Sequence, residues 1–88
     1  MEEFLSSLGI NRDGTYSKNG SYVIDLENDE DFGKIYTILD RSDEVTELSD
    51  NQLITVDEAS VSYTSDDYLI TLTGDFNSGI YRLTCTEL

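Results

Sequence analysis

Carboxylates are the most numerous chemically active side chains in this sequence, with 19 Asp and Glu residues against five Lys and Arg. Two runs contain the densest acids, and these ten residues are the candidate contact residues: Asp25, Glu27, Asp29, Glu30 and Asp31, then Asp40, Asp43, Glu44, Glu47 and Asp50. Carboxylates at close spacing can hydrolyse a glycosidic bond, bind calcium, or present negative charge to a basic partner.

Enzymatic chemistry is the first of these possibilities to be tested. The chain has no histidine, so neither a Ser-His-Asp nor a Cys-His arrangement can be built. The single cysteine, Cys85, alternates with Leu83 and Tyr81 in a strand pattern, which predicts a buried structural thiol. A carboxylate hydrolase needs a cleft, and an 88-residue domain seldom contains one. We therefore expect no catalytic residue, no enzyme activity and no cofactor.

Calcium binding is the second possibility. An EF-hand loop needs glycine at position 6 and glutamate at position 12. A loop beginning at Glu27 has Phe32 and Ile38 at those positions, and a loop beginning at Asp75 has Ile80 at position 6. The sequence thus predicts no dedicated metal site and leaves room only for weak, nonspecific divalent-ion binding.

The spacing of the acids favours the third possibility. Alternate residues on a strand lie about 6.6–6.8 Å apart, and helix residues three or four apart lie about 5–6 Å apart. Alternate phosphates of one DNA strand, at roughly 3.4 Å each, span a similar length. Rows of carboxylates can therefore occupy the positions where a nucleic-acid-binding cleft accepts phosphates.

The net charge of −14 identifies the kind of partner. Such a charge repels nucleic acid and anionic membranes, so neither is expected as a direct partner. A basic nucleic-acid-binding protein is the natural complement. Affinity also needs apolar anchors among the acids, and the candidates are the aromatics near predicted hairpin ends: Tyr16, Tyr68 and Phe76.

Two helices and a hairpin are the clearest elements. Residues 2–8 are predicted as a short helix that ends at Gly9, and residues 29–41 as the main helix, capped by Asn28. Asn19-Gly20 between two strand-like segments predicts a β-hairpin.

The remainder of the chain reads as β-structure. Residues 53–57 and 59–64 are predicted as one bent strand or two, followed by strands at 68–73 and 80–86. Residues 43–51 fit either a helix or a short strand. The predicted fold is one α+β domain over residues 1–88, with an antiparallel sheet of four to six strands and both helices on one face.

Compartment and association follow from composition. One cysteine, no secretory apolar region and no membrane-spanning run predict a cytoplasmic protein. Repulsion between like-charged surfaces predicts a monomer or a weak dimer.

In length, in charge, in its lack of histidine and proline, and in runs such as Glu27-Asn28-Asp29-Glu30-Asp31, the chain resembles the small acidic inhibitors encoded by bacteriophages. These include DNA-mimicking anti-restriction proteins, uracil-glycosylase inhibitors and anti-CRISPR proteins. The resemblance is one of class and transfers no site residue. It implies a non-enzymatic inhibitor, acting in a bacterial host cell, that occupies the basic DNA- or RNA-binding channel of a defence effector such as a CRISPR nuclease.

Two other functions fit the same composition. An immunity or antitoxin protein that masks a basic toxin would carry the same excess of acids. A phage structural or adaptor domain would carry them only for solubility.

Overall fold

The structure, a computed structural model, describes residues 1–48 and 52–88, and in these ranges it contains two helices and seven strands. In chain order the elements are α1 (Glu2–Ser7), β1 (Thr15–Tyr16), β2 (Tyr22–Leu26), α2 (Asp29–Arg41), β3 (Thr46–Glu47), β4 (Leu53–Ile54), β5 (Glu58–Thr64), β6 (Tyr68–Asp75) and β7 (Ile80–Glu87).

All the described strands belong to one antiparallel sheet. Its order is β1-β2-β7-β6-β5-β3, and β4 also pairs with β5. The two short strands β3 and β4 therefore lie end to end along β5, opposite Thr64–Tyr63 and Ser60–Ala59 respectively. Between β3 and β4, the Gln52 side chain accepts a hydrogen bond from the Ser62 N–H at 3.0 Å. A side-chain oxygen thus takes the place of a strand carbonyl as the partner of the β5 backbone.

Alternation along the strands separates the sheet into two faces. On the inner face, registers align apolar residues of β2, β7, β6 and β5, for example Ile24, Leu83, Leu72 and Val61. These four side chains are at most 1% exposed and form the centre of the core. Both helices cover this face: α2 contributes Phe32, Ile35 and Leu39, and α1 contributes Leu5.

α1 ends as the sequence predicts. Gly9 has a φ of 97°, in the left-handed region that glycine tolerates. The Ile10 N–H donates to the Leu5 carbonyl at 2.9 Å, and the Gly9 N–H donates to the Ser6 carbonyl at 3.0 Å. This is the Schellman pattern, which turns the chain back so that Ile10 enters the core.

α2 begins at a capped residue. The Asn28 side chain accepts a hydrogen bond from the Asp31 N–H at 2.9 Å, and three acids occupy the first turn, where the helix dipole favours them. Arg41 lies in the last turn. Thirteen residues at about 1.5 Å each make a helix roughly 20 Å long.

The predicted α+β class, with an antiparallel sheet and helices on one face, is confirmed. Three of the seven strands are only two residues long. Within the segment 43–51, for which helix and strand were both open, residues 46–47 form a strand, and residues 49–51 lie outside the described ranges. Neither helix in the described part of the chain is long and apolar enough to cross a membrane.

Candidate functional site

The main helix holds the two acidic runs at opposite ends. Glu27, Asp29 and Glu30 lie at the start of α2, whereas Asp40, Asp43 and Glu44 lie at or just beyond its end. Because the helix between them is roughly 20 Å long, the two runs form two separate acidic groups. Glu47 belongs to the second group through β3, and Asp50 lies outside the described residues.

Ion pairs remove two of the predicted contact residues from the set of available charges. Asp31 is almost buried and accepts a hydrogen bond from Arg12 at 2.9 Å, which holds the pKa of its carboxyl below the ordinary range. Asp25 lies on the opposite side of the sheet from α2, where it accepts a hydrogen bond from Arg82 at 2.8 Å. A third pair joins exposed Glu30 and Lys34 at 3.7 Å, a contact of little energetic value.

Most of the remaining carboxylates have no ionic partner. Of the 19 acids, one lies outside the described residues and three are in these ion pairs, so fifteen carry no ion pair in the described structure. Lys18 and Arg41 are the two bases without one in the same ranges. The negative charge is therefore presented outward rather than neutralised within the fold.

One end of the sheet combines acids with exposed apolar side chains, and we call it the loop-end surface. It forms where the β4–β5 loop, the β6–β7 loop and the first turn of α2 meet. The apolar members are Ile54, Val56, Phe76 and Ile80, and the acidic members are Glu27, Asp29, Asp57, Glu58 and Asp75.

Hydrogen bonds and ring contacts hold the three segments together. The Phe76 N–H donates to the Asp57 carbonyl oxygen at 2.8 Å, and the Asn77 side chain donates to the Asp57 carboxylate at 3.2 Å. The Phe76 ring packs on Phe32 of α2 and on Tyr81 of β7, with a centroid distance of 5.9 Å in both cases. The two loops and the helix start are thus in contact.

The apolar side chains of the loop-end surface are unusually exposed. Val56 is 91% exposed, Ile54 62%, Ile80 60% and Phe76 36%. Single exposed apolar residues are ordinary, but these four lie on adjoining segments around one end of the sheet, with Ile54 on its inner side and Ile80 on its outer side by strand register. We call the four together the apolar patch; exposed apolar groups gathered in this way are typical of an interaction surface.

Two acids of this surface face each other across the sheet. Glu58 on β5 lies directly opposite Asp75 on β6, an arrangement of like charges that costs stability. The Asp75 carboxylate accepts hydrogen bonds from the Ser78 and Asn77 N–H groups, which lower its pKa and keep it ionised. The charge of Asp75 therefore persists beside the apolar patch.

At the other end of the sheet, Glu44 of the second acidic group and two acids of the β5–β6 turn border a depression. Glu44, Asp66 and Asp67 line a cavity of about 390 Å³ together with Phe4 and Tyr68. The two aromatic rings stack on each other with centroids 4.5 Å apart, and both are half-buried. Their faces are already used within the protein. The exposed apolar side chain at this end is Leu88, which is 70% exposed and whose N–H donates to the Asp67 carbonyl oxygen at 2.8 Å.

The three predicted aromatic anchors lie in different environments. Phe76 is at the centre of the loop-end surface. Tyr68 is half-buried against Phe4 at the opposite end, and Tyr16, which is exposed, lies on β1 against Tyr22 with ring centroids 5.0 Å apart. The structure therefore does not bring the three together.

Several residues of the loop-end surface were not among the predicted contact residues. Asp57 lies in the β4–β5 loop, Glu58 begins β5 and Asp75 ends β6, whereas Val56 and Ile54 belong to a segment predicted only as strand. The available signal was the two apolar residues Ile54 and Val56 directly before two acids, Asp57 and Glu58.

The reactive groups inside the fold are inert in this arrangement. Cys85 is fully buried, and burial raises the pKa of its thiol to about 11. Burial also raises the pKa of Tyr63 to about 12, and its hydroxyl has no hydrogen-bond partner among the described residues. Over the same ranges, no group of three or more acidic, histidine or cysteine side chains is arranged to hold a metal ion.

Comparisons with known proteins add no relative. No protein-family model matches the chain, and no curated protein or solved structure is significantly similar to it. The charge distribution and the loop-end surface are the observations that bear on function.

Proposed function

We propose that this protein is a non-enzymatic inhibitor that binds the basic nucleic-acid-binding channel of a host defence effector, most concretely a CRISPR nuclease, through its loop-end surface. The observation that carries the proposal is the exposed apolar patch of four side chains bordered by carboxylates that have no ion pair in the described structure. An apolar centre with a charged border is the usual composition of a protein–protein interface.

The two components have different roles in binding. Carboxylates on the border attract a positively charged channel and speed the encounter, an effect that salt screens. The apolar side chains supply affinity when water leaves the contact, chiefly by slowing dissociation. Channels that accept phosphates and read bases depend on arginine and lysine, whose charges the loop-end carboxylates complement.

The exposed apolar side chains favour the loop-end surface, rather than the second acidic group, as the site that contacts the partner. At the loop end, Val56 and Ile80 make most of their surface available to a partner. At the other end, Phe4 and Tyr68 are stacked on each other. Both groups contribute to the long-range field, but four exposed apolar side chains lie at the loop end, whereas Leu88 is the one found beside the acids of the other end in the described structure.

A competition assay tests the proposal. The probe is a guide-RNA-loaded Cas9-type nuclease with a labelled target duplex, and the measurement is the fraction of duplex bound as this protein is added. We expect displacement of the duplex, and an association rate that falls at least about tenfold between roughly 50 mM and roughly 300 mM salt.

Two matched charge reversals locate the contact. Glu27→Lys with Glu58→Lys changes two acids on opposite sides of the apolar patch, whereas Asp66→Lys with Asp67→Lys makes the same change in net charge at the other end. We expect the first pair to slow association at least about tenfold and the second pair to slow it only about two- to threefold. Val56→Ala should instead raise the dissociation rate with little change in salt dependence.

Equal effects of the two reversals would show that only net charge matters and that the loop-end surface is not the contact. A complex that leaves the duplex bound would contradict occupation of the channel.

A further inference from the structure

The loop-end surface extends over both faces of the sheet. Ile54 on β4 lies opposite buried Ala59, so its side chain belongs to the inner face, which the helices cover. Ile80 on β7 lies opposite Asp75, on the face that points away from the helices and that we call the outer face. Val56, in the loop between β4 and β5, is at the tip. A partner that lay flat against one face would therefore contact only part of the apolar patch.

The carboxylates of the loop-end surface are divided in the same way. Glu58 and Asp75 stand opposite each other on the outer face, in one row with Ile80. Glu27 and Asp29 lie exposed at the start of α2, on the inner side. None of these four acids forms an ion pair in the described structure. Each side of the loop end thus presents an exposed isoleucine together with two carboxylates.

Acids on two opposite sides complement a basic surface with two walls. A nucleic-acid duplex carries phosphates on both of its strands, so a channel that accepts it is positively charged on both walls. A flat basic surface would meet the acids of one side and leave those of the other in water. The two-sided distribution of charge therefore favours a channel as the surface that fits the loop end.

The thickness of the loop end is consistent with a channel made for a duplex. A helix with its side chains is about 10–12 Å across, and a stacked layer of sheet adds about 10 Å. The whole protein measures 32 × 26 × 23 Å along its principal axes. A body of this thickness matches a double helix more closely than a single strand.

The outer face also indicates how deep the contact is. Rows of side chains follow one another at about 6.7 Å along the strands, and Glu58 and Asp75 belong to the row nearest the loop end. In the next row Arg82 and Asp25 neutralise each other at 2.8 Å. The row behind it consists of uncharged side chains such as Thr84. A basic wall would thus be attracted to the first row alone.

We propose that the loop end enters the partner's channel end-on, between two basic walls that are far enough apart to accept a duplex. One wall contacts Ile80 with Glu58 and Asp75 on the outer face, and the other contacts Ile54 beside the acids at the start of α2. Val56 points into the channel between them. This inference rests on the proposed function, since it describes how the same surface occupies the channel.

Three isoleucine or leucine positions provide matched variants. Ile54, Ile80 and Leu88 are 62%, 60% and 70% exposed, and Leu88 lies at the opposite end of the sheet. Replacing each one singly with lysine makes the same change in net charge and leaves the core intact. The measurement is the dissociation constant of the complex with a guide-RNA-loaded Cas9-type nuclease, and the urea midpoint verifies that each variant folds.

Ile54→Lys and Ile80→Lys should each raise the dissociation constant at least about tenfold, because each places a cation against a basic wall. Leu88→Lys should leave it within about twofold of wild type, since a distant charge acts only through the screened field. Ile54 and Ile80 are three strand spacings apart, about 14 Å, so the double variant should approach the product of the two single effects. Glu27→Lys and Glu58→Lys, made singly, repeat the test of the two sides.

Thr84→Lys distinguishes end-on insertion from a partner that lies on the outer face. Two rows behind the loop end, this variant should bind within about twofold of wild type if the contact stops at the first row. A partner that covered the outer face would instead be lost with both Thr84→Lys and Ile80→Lys, while Ile54→Lys bound normally.

That pattern would overturn the inference, and so would a loss of binding with Ile54→Lys alone, or equal effects of all the lysine variants. If the wild type still displaced the duplex, these results would leave the proposed function standing and refute only the end-on insertion. A nuclease that did not bind the wild type at all would refute both.

Discussion

Gly74 packs against the aromatic rings of Tyr81 and Phe32, which in turn contact Phe76 of the loop-end surface. Replacing Gly74 with alanine tests whether this packing is as tight as the structure indicates. A Cβ at this position would lie 2.9 Å from Cδ1 of Tyr81 and 3.2 Å from Cε2 of Phe32. Both rings are buried, and both pack against Phe76. Neither ring can move away without displacing the other aromatic side chains.

The expected cost follows from two opposing effects. Overpacking a close contact of this kind costs about 1–3 kcal/mol. Replacement of glycine by alanine restricts the unfolded chain and returns about 0.4–1 kcal/mol. The net loss for Gly74→Ala is therefore about 1–2 kcal/mol, and for a domain of this size each kcal/mol lowers the melting temperature by about 4–8 °C.

Gly33 provides a matched control. It lies inside α2, and an added Cβ would meet no atom within 4 Å. Alanine is a better helix former than glycine by about 1 kcal/mol, so Gly33→Ala should stabilise the protein by about that amount. The same chemical substitution is thus expected to have opposite signs at the two positions.

Urea denaturation of the wild type and both variants measures the difference, with the slope of the transition checked for constancy. Gly74→Ala should shift the midpoint down and Gly33→Ala should shift it up. If Gly74→Ala were as stable as the wild type, the packing of Phe32 and Tyr81 around this position would not be as described.

Two further substitutions test the buried polar groups. The folded pKa of Asp31 is lowered, chiefly by its hydrogen bond with Arg12, so the stability from this pair is present above the ordinary aspartate pKa and is lost as pH falls through the lowered value. Arg12→Leu should therefore be less stable than the wild type near pH 7, and the difference in unfolding free energy should shrink in acid; a difference that grew in acid would contradict this. Tyr63→Phe removes a buried hydroxyl that has no hydrogen-bond partner in the described structure, so it should be neutral or stabilising in a thermal melt, and a loss above about 1 kcal/mol would mean that the hydroxyl is satisfied.

Local signals in the sequence were sufficient to predict where the two helices end or begin. The cap at Asn28 and the glycine at position 9 each specify a helix end through neighbouring residues, and the structure reproduces both. The hairpin at Asn19-Gly20 also forms, with Gly20 at a φ of 88° and a Ser17 N–H that donates to the Ser21 carbonyl oxygen at 2.8 Å. Periodicity placed Tyr81, Leu83 and Cys85 correctly on the buried face.

The sequence predicted some residues of the candidate site, such as Phe76 and Glu27, but not how they come together. Their assembly depends on strand pairing between segments far apart in the chain. Asp57 and Asn77 are 20 residues apart and meet only after β5, β6 and β7 have paired in register. Proximity along the chain grouped Asp25 with Glu27, yet alternation places Asp25 on the outer face beside Arg82, which no sequence neighbour reveals. The ion pair of Arg12 with Asp31, which are 19 residues apart, likewise cannot be predicted from residues that neighbour each other in the sequence.

The structure also separates acids that stabilise the fold from acids that do not. Asp31 holds Arg12, Asp75 closes the β6–β7 turn through two backbone N–H groups, and Asp25 holds Arg82. Reversing Asp31 or Asp75 should therefore cost folding stability, whereas the exposed pair of Asp25 and Arg82 contributes little. Glu27 and Glu58 have no such side-chain hydrogen bond in the described residues, and Glu58 even opposes Asp75. A like-charged pair beside exposed Ile80 destabilises the free protein, and a cationic side chain of a partner placed between the two carboxylates would relieve that repulsion. The cost in the free state is thus the physical reason to expect a basic partner at this end of the sheet.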